Sequence, residues 1–230
     1  MVRQFVPEVA VVRERLAEVR GRVAAAATTA GRDPAEARVL VATKYVAAEH
    51  LGVLLEAGVD LVGENRAQDL AAKHELYPDA FEYHFIGHLQ SRKTRLVLPL
   101  VSLIHSVSSM SVVQEIEARS ANATDVLLEV NIAGEESKSG LAPGDVDAFL
   151  DEAAAFPMVR FCGLMCMPPL TAAAEDARPH FARTRELAQR LSTSWRGTYT
   201  FRQLSMGTSA DYEVAAQEGA TIVRVGSVLF

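Results

Sequence analysis

The stretch RVLVATKYVAAEHLGVLLEAGVDLVG, residues Arg38 to Gly63, holds two short apolar runs on either side of an amphipathic segment. Val39–Thr43 and Leu61–Gly63 have the length and continuity of buried strands, and His50–Ala57 has helical spacing. The unit recurs along the chain. Further strands are predicted at Tyr83–Ile86, Leu103–Ser106, Val126–Asn131, Arg160–Met165, Gln203–Ser205 and Thr221–Val225. Helices are predicted at Arg66–Leu76, Ser91–Leu98, Ser111–Ser120, Pro143–Ala155, Ala174–Leu191 and Ala210–Glu218. An extra helix, Glu8–Ala27, precedes them, with Val11, Val12, Leu16, Val19 and Val23 at helical spacing. Continuous apolar strands in βα alternation imply a parallel sheet covered on both faces. About eight such units in 230 residues favour an α/β fold of the closed (β/α)8 TIM-barrel kind. Residues 1–230 read as a single domain, with no Gly/Ser/Pro linker, low-complexity tract or strong repeat.

Composition bounds the function. Apolar residues make 49% of the chain and charged residues 23%, as in ordinary globular proteins. The formal charge of -6 argues against nucleic acid or an anionic membrane as the main partner. Two cysteines imply no disulfide framework and fit a reducing compartment. The charged N-terminal stretch is not a signal peptide and no run is long enough to span a membrane, so the expected location is cytoplasmic.

In a parallel barrel the site lies where the strands end at their C-termini. The residues there are Lys44, Glu64, Asn65, His84, Gly87, His88, His105, Ser106, Asn131, Met165 to Met167, Ser205 to Ser209, Arg224, Gly226 and Ser227. Lys44 follows an apolar strand, where loss of hydration would favour the neutral amine that forms Schiff bases. The plainer alternative pairs it with a carboxylate such as Glu64. Gly207, Thr208 and Ser209 open the Ala210 helix, and Gly226 and Ser227 end the last strand. Together these form either a phosphate site or a helix cap and a turn. Arg224 interrupts Ile222, Val223 and Val225 and shares a face with Ile222 and Gly226. It needs a partner, either a carboxylate or a ligand acceptor such as a ring nitrogen. An electrophile for lysine, a phosphate cradle and an arginine for a heteroaromatic nitrogen together describe pyridoxal 5′-phosphate (PLP), the vitamin B6 cofactor.

The segments VATKYV (Val41 to Val46), GENRAQD (from Gly63), YHFIGHLQSRK (from Tyr83), EVNIAGEESKSG (from Glu129), GLMCMPP (from Gly163), LSMGTSADYEVAAQEGA (from Leu204) and VRVGSVLF (to Phe230) span nearly the whole chain. In them the chain resembles the pyridoxal phosphate homeostasis proteins (the YggS/PROSC type), which share their fold with the N-terminal barrel of alanine racemase. The resemblance implies that Lys44 forms the internal aldimine and Arg224 lies at the pyridine nitrogen. It implies that Ser209, Gly226 and Ser227 hold the phosphate with Met206 close by, and that Asn65 and His84 flank the ring. The chain departs from the family pattern at Tyr45-Val46-Ala47, at Arg66 and at Arg92.

Two features point away from an efficient amino-acid enzyme. Racemisation needs an acid/base group on each face of the substrate, and the chain stops at Phe230, after the last barrel strand, where the racemase continues into a second domain. An arginine at the pyridine nitrogen also leaves that nitrogen unprotonated and the ring a poorer electron sink. The expectation is a non-enzymatic PLP-binding protein of intracellular PLP homeostasis. It would bind, store or deliver PLP as a monomer, with PLP-dependent apo-enzymes as recipients. The alternatives are a PLP-dependent amino-acid racemase, a Schiff-base aldolase acting on sugar phosphates, and an interaction scaffold. Cys162 and Cys166, four apart in one strand, are expected on one face as core, not as a zinc site. His88 and His105 are expected to make ordinary rim hydrogen bonds. Gly134 to Gly140 is expected as a solvated loop, and Arg92, Lys93 and Arg95 as a solvated helix face.

Overall fold

The computed structural model describes residues 6–135, 139–169 and 173–230. Eight parallel strands close into a barrel in chain order. They are β1 (Arg38–Ala42), β2 (Leu61–Glu64), β3 (Glu82–Phe85), β4 (Leu103–Val107), β5 (Thr124–Val130), β6 (Val159–Cys166), β7 (Gln203–Ser205) and β8 (Ile222–Val225). The α-helices are α1 (Val9–Thr29), α2 (Leu51–Glu56), α3 (Ala67–Leu76), α4 (Thr94–Val97), α5 (Met110–Arg119), α6 (Val146–Ala153), α7 (Arg178–Ser194) and α8 (Tyr212–Gln217). The (β/α)8 barrel expected from the alternation is therefore the fold. The segment expected as one helix at Ser91–Leu98 is instead three short pieces. Pro99, lacking an N–H, cannot continue an α-helical ladder there.

Two apolar cores form, as the alternation of strand side chains requires. The larger lies between sheet and helices and includes Val39, Val41, Phe85, Ile104, Phe161, Leu164 and Val223. The smaller fills the lumen with Leu40, Leu61, Leu103, Leu127, Met165 and Ile222. The remaining inward positions toward the C-terminal end are polar: His84, His105, Glu129, Ser205 and Arg224 are all buried. α1 buries Val12, Leu16, Val19 and Val23 against α8, α2 and β1, so it covers the β8–β1 seam.

The two cysteines do not share a face. The β5–β6 register passes from Val126↔Phe161 directly to Leu127↔Gly163. Cys162 is thus the extra residue of a bulge, and a bulge shifts the alternation by one. Cys162 packs with the lumen core and Cys166 with the outer core. Burial pushes both thiols up, Cys162 to about 12 and Cys166 to about 11.

Candidate functional site

Lys44 stands in the turn that follows β1. Its side chain is exposed, so the burial expected to strip water from the ammonium is not present. The Nζ lies 4.8 Å from the centre of the Tyr45 ring. Nor is Glu64 its partner. Glu64 ends β2, is 1% exposed, and pairs with Lys73 of α3, itself 3% exposed. Lys73 Nζ also donates to the Thr43 carbonyl at 2.7 Å, and Thr43 Oγ1 donates to Glu64 Oε1 at 2.5 Å. A closed cluster of Thr43, Glu64 and Lys73 therefore fixes the backbone next to Lys44. Sequence reasoning missed Lys73. The signal was available: with Ala67 and Leu70 it forms the buried stripe of α3.

Asn65 is exposed, and its backbone N–H donates to Glu64 Oε2 at 3.3 Å. The chain after β3 runs close against it. A Cβ at Gly87 would lie 2.2 Å from the Asn65 carbonyl oxygen, so only glycine fits there. Lys44, Asn65, Arg66, Asp69 and Lys73 line one groove between the ends of β1 and β2 and α3.

At the other side of the seam, the Gly226 N–H donates to Ser209 Oγ at 3.1 Å, joining the ends of β7 and β8. A Cβ on Gly226 would lie 3.3 Å from the Ala42 carbonyl, so Gly226 also abuts the end of β1. Gly207 has φ +89 and its Cβ would lie 2.4 Å from Ala215 Cβ. Thr208 is held by Asp211, whose Oδ1 accepts from its N–H at 2.6 Å and its hydroxyl at 3.0 Å. The helix expected from Ala210 starts at Tyr212, is six residues long, and has acidic Glu213 in its first turn. Its dipole gives an anion little. The support for a phosphate here comes from Ser209, Gly226 and the exposed Ser227. Met206 is fully buried in the outer core, because Ser205 takes the inward position beside it. Its side chain does not reach the mouth.

Arg224 is 6% exposed. Its Nη1 donates to the Ser205 carbonyl at 2.7 Å and to Ser205 Oγ. Its Nη2 donates to the Cys166 carbonyl at 3.0 Å and to Met167 Sδ at 2.8 Å. Among the described residues no carboxylate pairs with it. A thioether is a weak acceptor, and Met167 is 46% exposed. Nη2 thus has one good acceptor, the Cys166 carbonyl, and one weak one, the thioether. His84 lies lower, on mid-β3, with Nε2 at 2.8 Å from Glu82 and Nδ1 at 2.9 Å from His105. Both its nitrogens are engaged inside the barrel.

Other expected features fall outside this cluster. His88 is exposed, and His105 is buried in the lumen rather than on the rim. Asn131 caps its loop: Oδ1 accepts from Gly134 N–H at 3.1 Å and Nδ2 donates to the Glu135 carbonyl at 2.8 Å. Glu136, Ser137 and Lys138 of that loop lie outside the described residues. Of the three residues expected on a solvated helix face, Arg92 and Arg95 are exposed and Lys93 is half-buried, and only Arg95 lies in an α-helix. No group of three metal-ligating side chains occurs among the described residues, and no described helix is long and apolar enough to cross a membrane.

Ser209 follows β7, Arg224 and Gly226 lie in and just past β8, Lys44 follows β1 and Asn65 follows β2, and these four strands are consecutive in the closed barrel. A reachable amine, an arginine without a carboxylate and a hydroxyl-and-backbone corner suit the aldehyde, ring nitrogen and phosphate of PLP. The comparisons with known proteins agree. Residues 15–230 match the model of the alanine racemase N-terminal domain. A pyridoxal phosphate homeostasis protein of Aquifex aeolicus is 39% identical over 94% of this chain and 96% of its own length. The structure of PipY of Synechococcus elongatus with PLP bound superposes with a TM-score of 0.80 at 29% identity, covering 95% of this chain and 99% of that one. Alanine racemase of Clostridium difficile shares the fold, with a TM-score of 0.69 at 14% identity over 85% of this chain and 52% of its own.

Proposed function

The chain belongs to the alanine racemase N-terminal-domain family and, within it, to the pyridoxal phosphate homeostasis proteins, and on that premise we propose that it binds PLP reversibly at Lys44 to store or deliver it. The observation that carries this reading is Arg224, a buried guanidinium that no described carboxylate neutralises and whose Nη2 has a weak second acceptor, the thioether. Bound there, the cofactor's aldehyde would supply the electrophile for a Schiff base with the Lys44 amine, releasing one water.

The chain's own residues do the rest. Thr43, Glu64 and Lys73 hold the turn that carries Lys44. Ser209, Gly226 and Ser227 present a hydroxyl, a backbone edge and a second hydroxyl for the phosphate. Asn65, just past the end of β2, would border the ring. Arg224 remains a donor at every accessible pH, so a ring nitrogen held beside it would stay unprotonated. That suits holding the cofactor rather than stabilising a carbanion on it. The relatives' names are likewise those of PLP homeostasis, not of a catalysed reaction. This reading extends to residues 1–230 acting as one PLP-binding barrel domain, monomeric and cytoplasmic, with PLP-dependent apo-enzymes as recipients.

The test is a visible absorbance spectrum of protein reconstituted with PLP, before and after borohydride, with mass mapping of the reduced site. A yellow protein with a reduced pyridoxyl group on Lys44, lost in Lys44→Ala, is the expected result. A colourless protein unmodified by added PLP overturns it.

A further inference from the structure

A single file of polar side chains crosses the barrel lumen beneath the mouth. Glu82 begins β3 and so lies at the opposite, N-terminal end of the barrel. Its Oε1 is 2.8 Å from His84 Nε2. His84 Nδ1 is 2.9 Å from His105 Nε2 on β4. His105 Nδ1 is 2.8 Å from Ser205 Oγ on β7, the atom that receives Arg224 Nη1. β4 and β7 are not adjacent in the sheet. The His105–Ser205 bond therefore spans the lumen instead of following the wall.

Counting protons sets the direction of every bond. His84 and Arg38 hold the Glu82 carboxyl far below the usual carboxylate range. Glu82 is thus ionised and only accepts. Burial pushes His84 and His105 down, so each ring is neutral and carries one N–H. The N–H of His84 sits on Nε2, facing Glu82. His84 Nδ1 then accepts from His105 Nε2–H, and His105 Nδ1 accepts from the Ser205 hydroxyl. Ser205 thus directs its one O–H to His105 and turns its lone pairs to Arg224. All the donors point from Arg224 toward Glu82, the arrangement in which hydrogen bonds polarise one another.

We infer that Glu82, His84, His105 and Ser205 are positioning residues for Arg224: they fix the plane of its guanidinium through Ser205 and connect it to a remote carboxylate in place of a touching one. The inference goes beyond PLP binding but rests on it for the purpose of Arg224. None of the four side chains has to touch the cofactor. His84 acts through His105 rather than against the ring.

Glu82 offers the cleanest test, because its side chain is 38% exposed and far from the mouth. Glu82→Gln keeps the shape and removes the charge. Arg38→Gln is the control: it removes the charged partner of Glu82 Oε2, at 2.7 Å, and leaves both the file and the Ser102 hydroxyl's bond to Oε1, at 3.2 Å, intact. Ser205→Ala cuts the file at Arg224. In the full-length protein without PLP, 15N spectra at neutral pH should show both histidines neutral with the proton on Nε2, and titrating, if at all, at lower pH than an ordinary histidine. The Arg224 Nη signals should be resolved in wild type and in Arg38→Gln, and averaged by rotation in Glu82→Gln and Ser205→Ala. After loading, those two variants should shift the visible band and release PLP about fivefold faster, the effect of one net hydrogen bond. Histidines protonated on Nδ1, or Arg224 signals indifferent to both variants, overturn the inference. If wild type takes up no PLP while the Arg224 signals still respond, the PLP reading falls and the positioning file stands. If PLP binds but the signals do not respond, the reverse holds.

Discussion

Lys73 and Glu64 form a buried ion pair next to the residue that precedes Lys44, and Lys73 binds that residue's carbonyl as well. The sequence thus holds two lysines near one strand end with opposite tasks. Lys73 is spent on structure, and Lys44 is left in reach of solvent. Removing one member strands the other charge in the core. Lys73→Met should cost about 3–5 kcal/mol of stability, and Lys73→Met with Glu64→Leu clearly less. Urea melts of the two proteins check this. Equal losses would show that the pair is not coupled.

Tyr45 lies against the Lys44 ammonium. Lys44 is exposed and Tyr45 half-buried, and at such a solvated site a cation over an aromatic face is held by roughly 0.5–1 kcal/mol. Tyr45→Ala should free the amine and speed formation of the coloured PLP adduct roughly two- to fivefold. Stopped-flow absorbance at fixed pH measures it.

Gly207 and Gly226 should separate stability from binding. At Gly207 a side chain meets both a positive φ and Ala215. Gly207→Ala should lose at least about 1–2 kcal/mol of stability from the backbone strain alone. Gly226→Ala meets only a tight contact with Ala42. It should fold nearly normally and hold PLP less tightly. Thermal melts beside PLP titrations distinguish the two.

The buried histidines set a pH dependence. In the folded protein His84 and His105 resist protonation. In the unfolded chain they take protons below about pH 6.5. The unfolded state then binds more protons than the folded one, so stability falls as pH drops below about 6.5. Glu82, depressed in the fold, adds a second loss once its unfolded carboxyl begins to protonate, below about pH 4.5. Urea midpoints at pH 8, 6 and 4.5 should fall in that order.

Cys166, buried and with its thiol pushed up to about 11, should resist iodoacetamide in the native protein and react only after unfolding, while half-buried Cys162, its thiol pushed up to about 12, should react slowly. Labelling of Cys166 in native buffer would contradict its burial.

The barrel was legible because each strand is a short apolar run and each helix an amphipathic one. The ends of β7 were placed to the residue, since Gln203–Ser205 is bounded on both sides. Lys44, Arg224, Ser209 and Gly226 could be marked because each breaks an apolar pattern or supplies a turn. The bulge at Cys162 could not, because nothing in RFCGLMC distinguishes seven alternating residues from six and one extra. The partners of Glu64 and His105 were hidden for a different reason. They lie on other elements, and only closure of the barrel selects them.

The β1–β8 seam pairs Arg38–Val41 with Ile222–Val225. It joins parts of the chain more than 180 positions apart, and the lysine and the arginine stand on its two sides. Contacts this distant in sequence form slowly, after the loop-closure entropy has been met. The two sides of the pocket therefore meet only when this seam closes. A ligand that recognises only the closed ring shifts the folding equilibrium toward it by mass action. The cofactor would then act as a chaperone for its own carrier, so that vitamin supply governs how much of the chain persists.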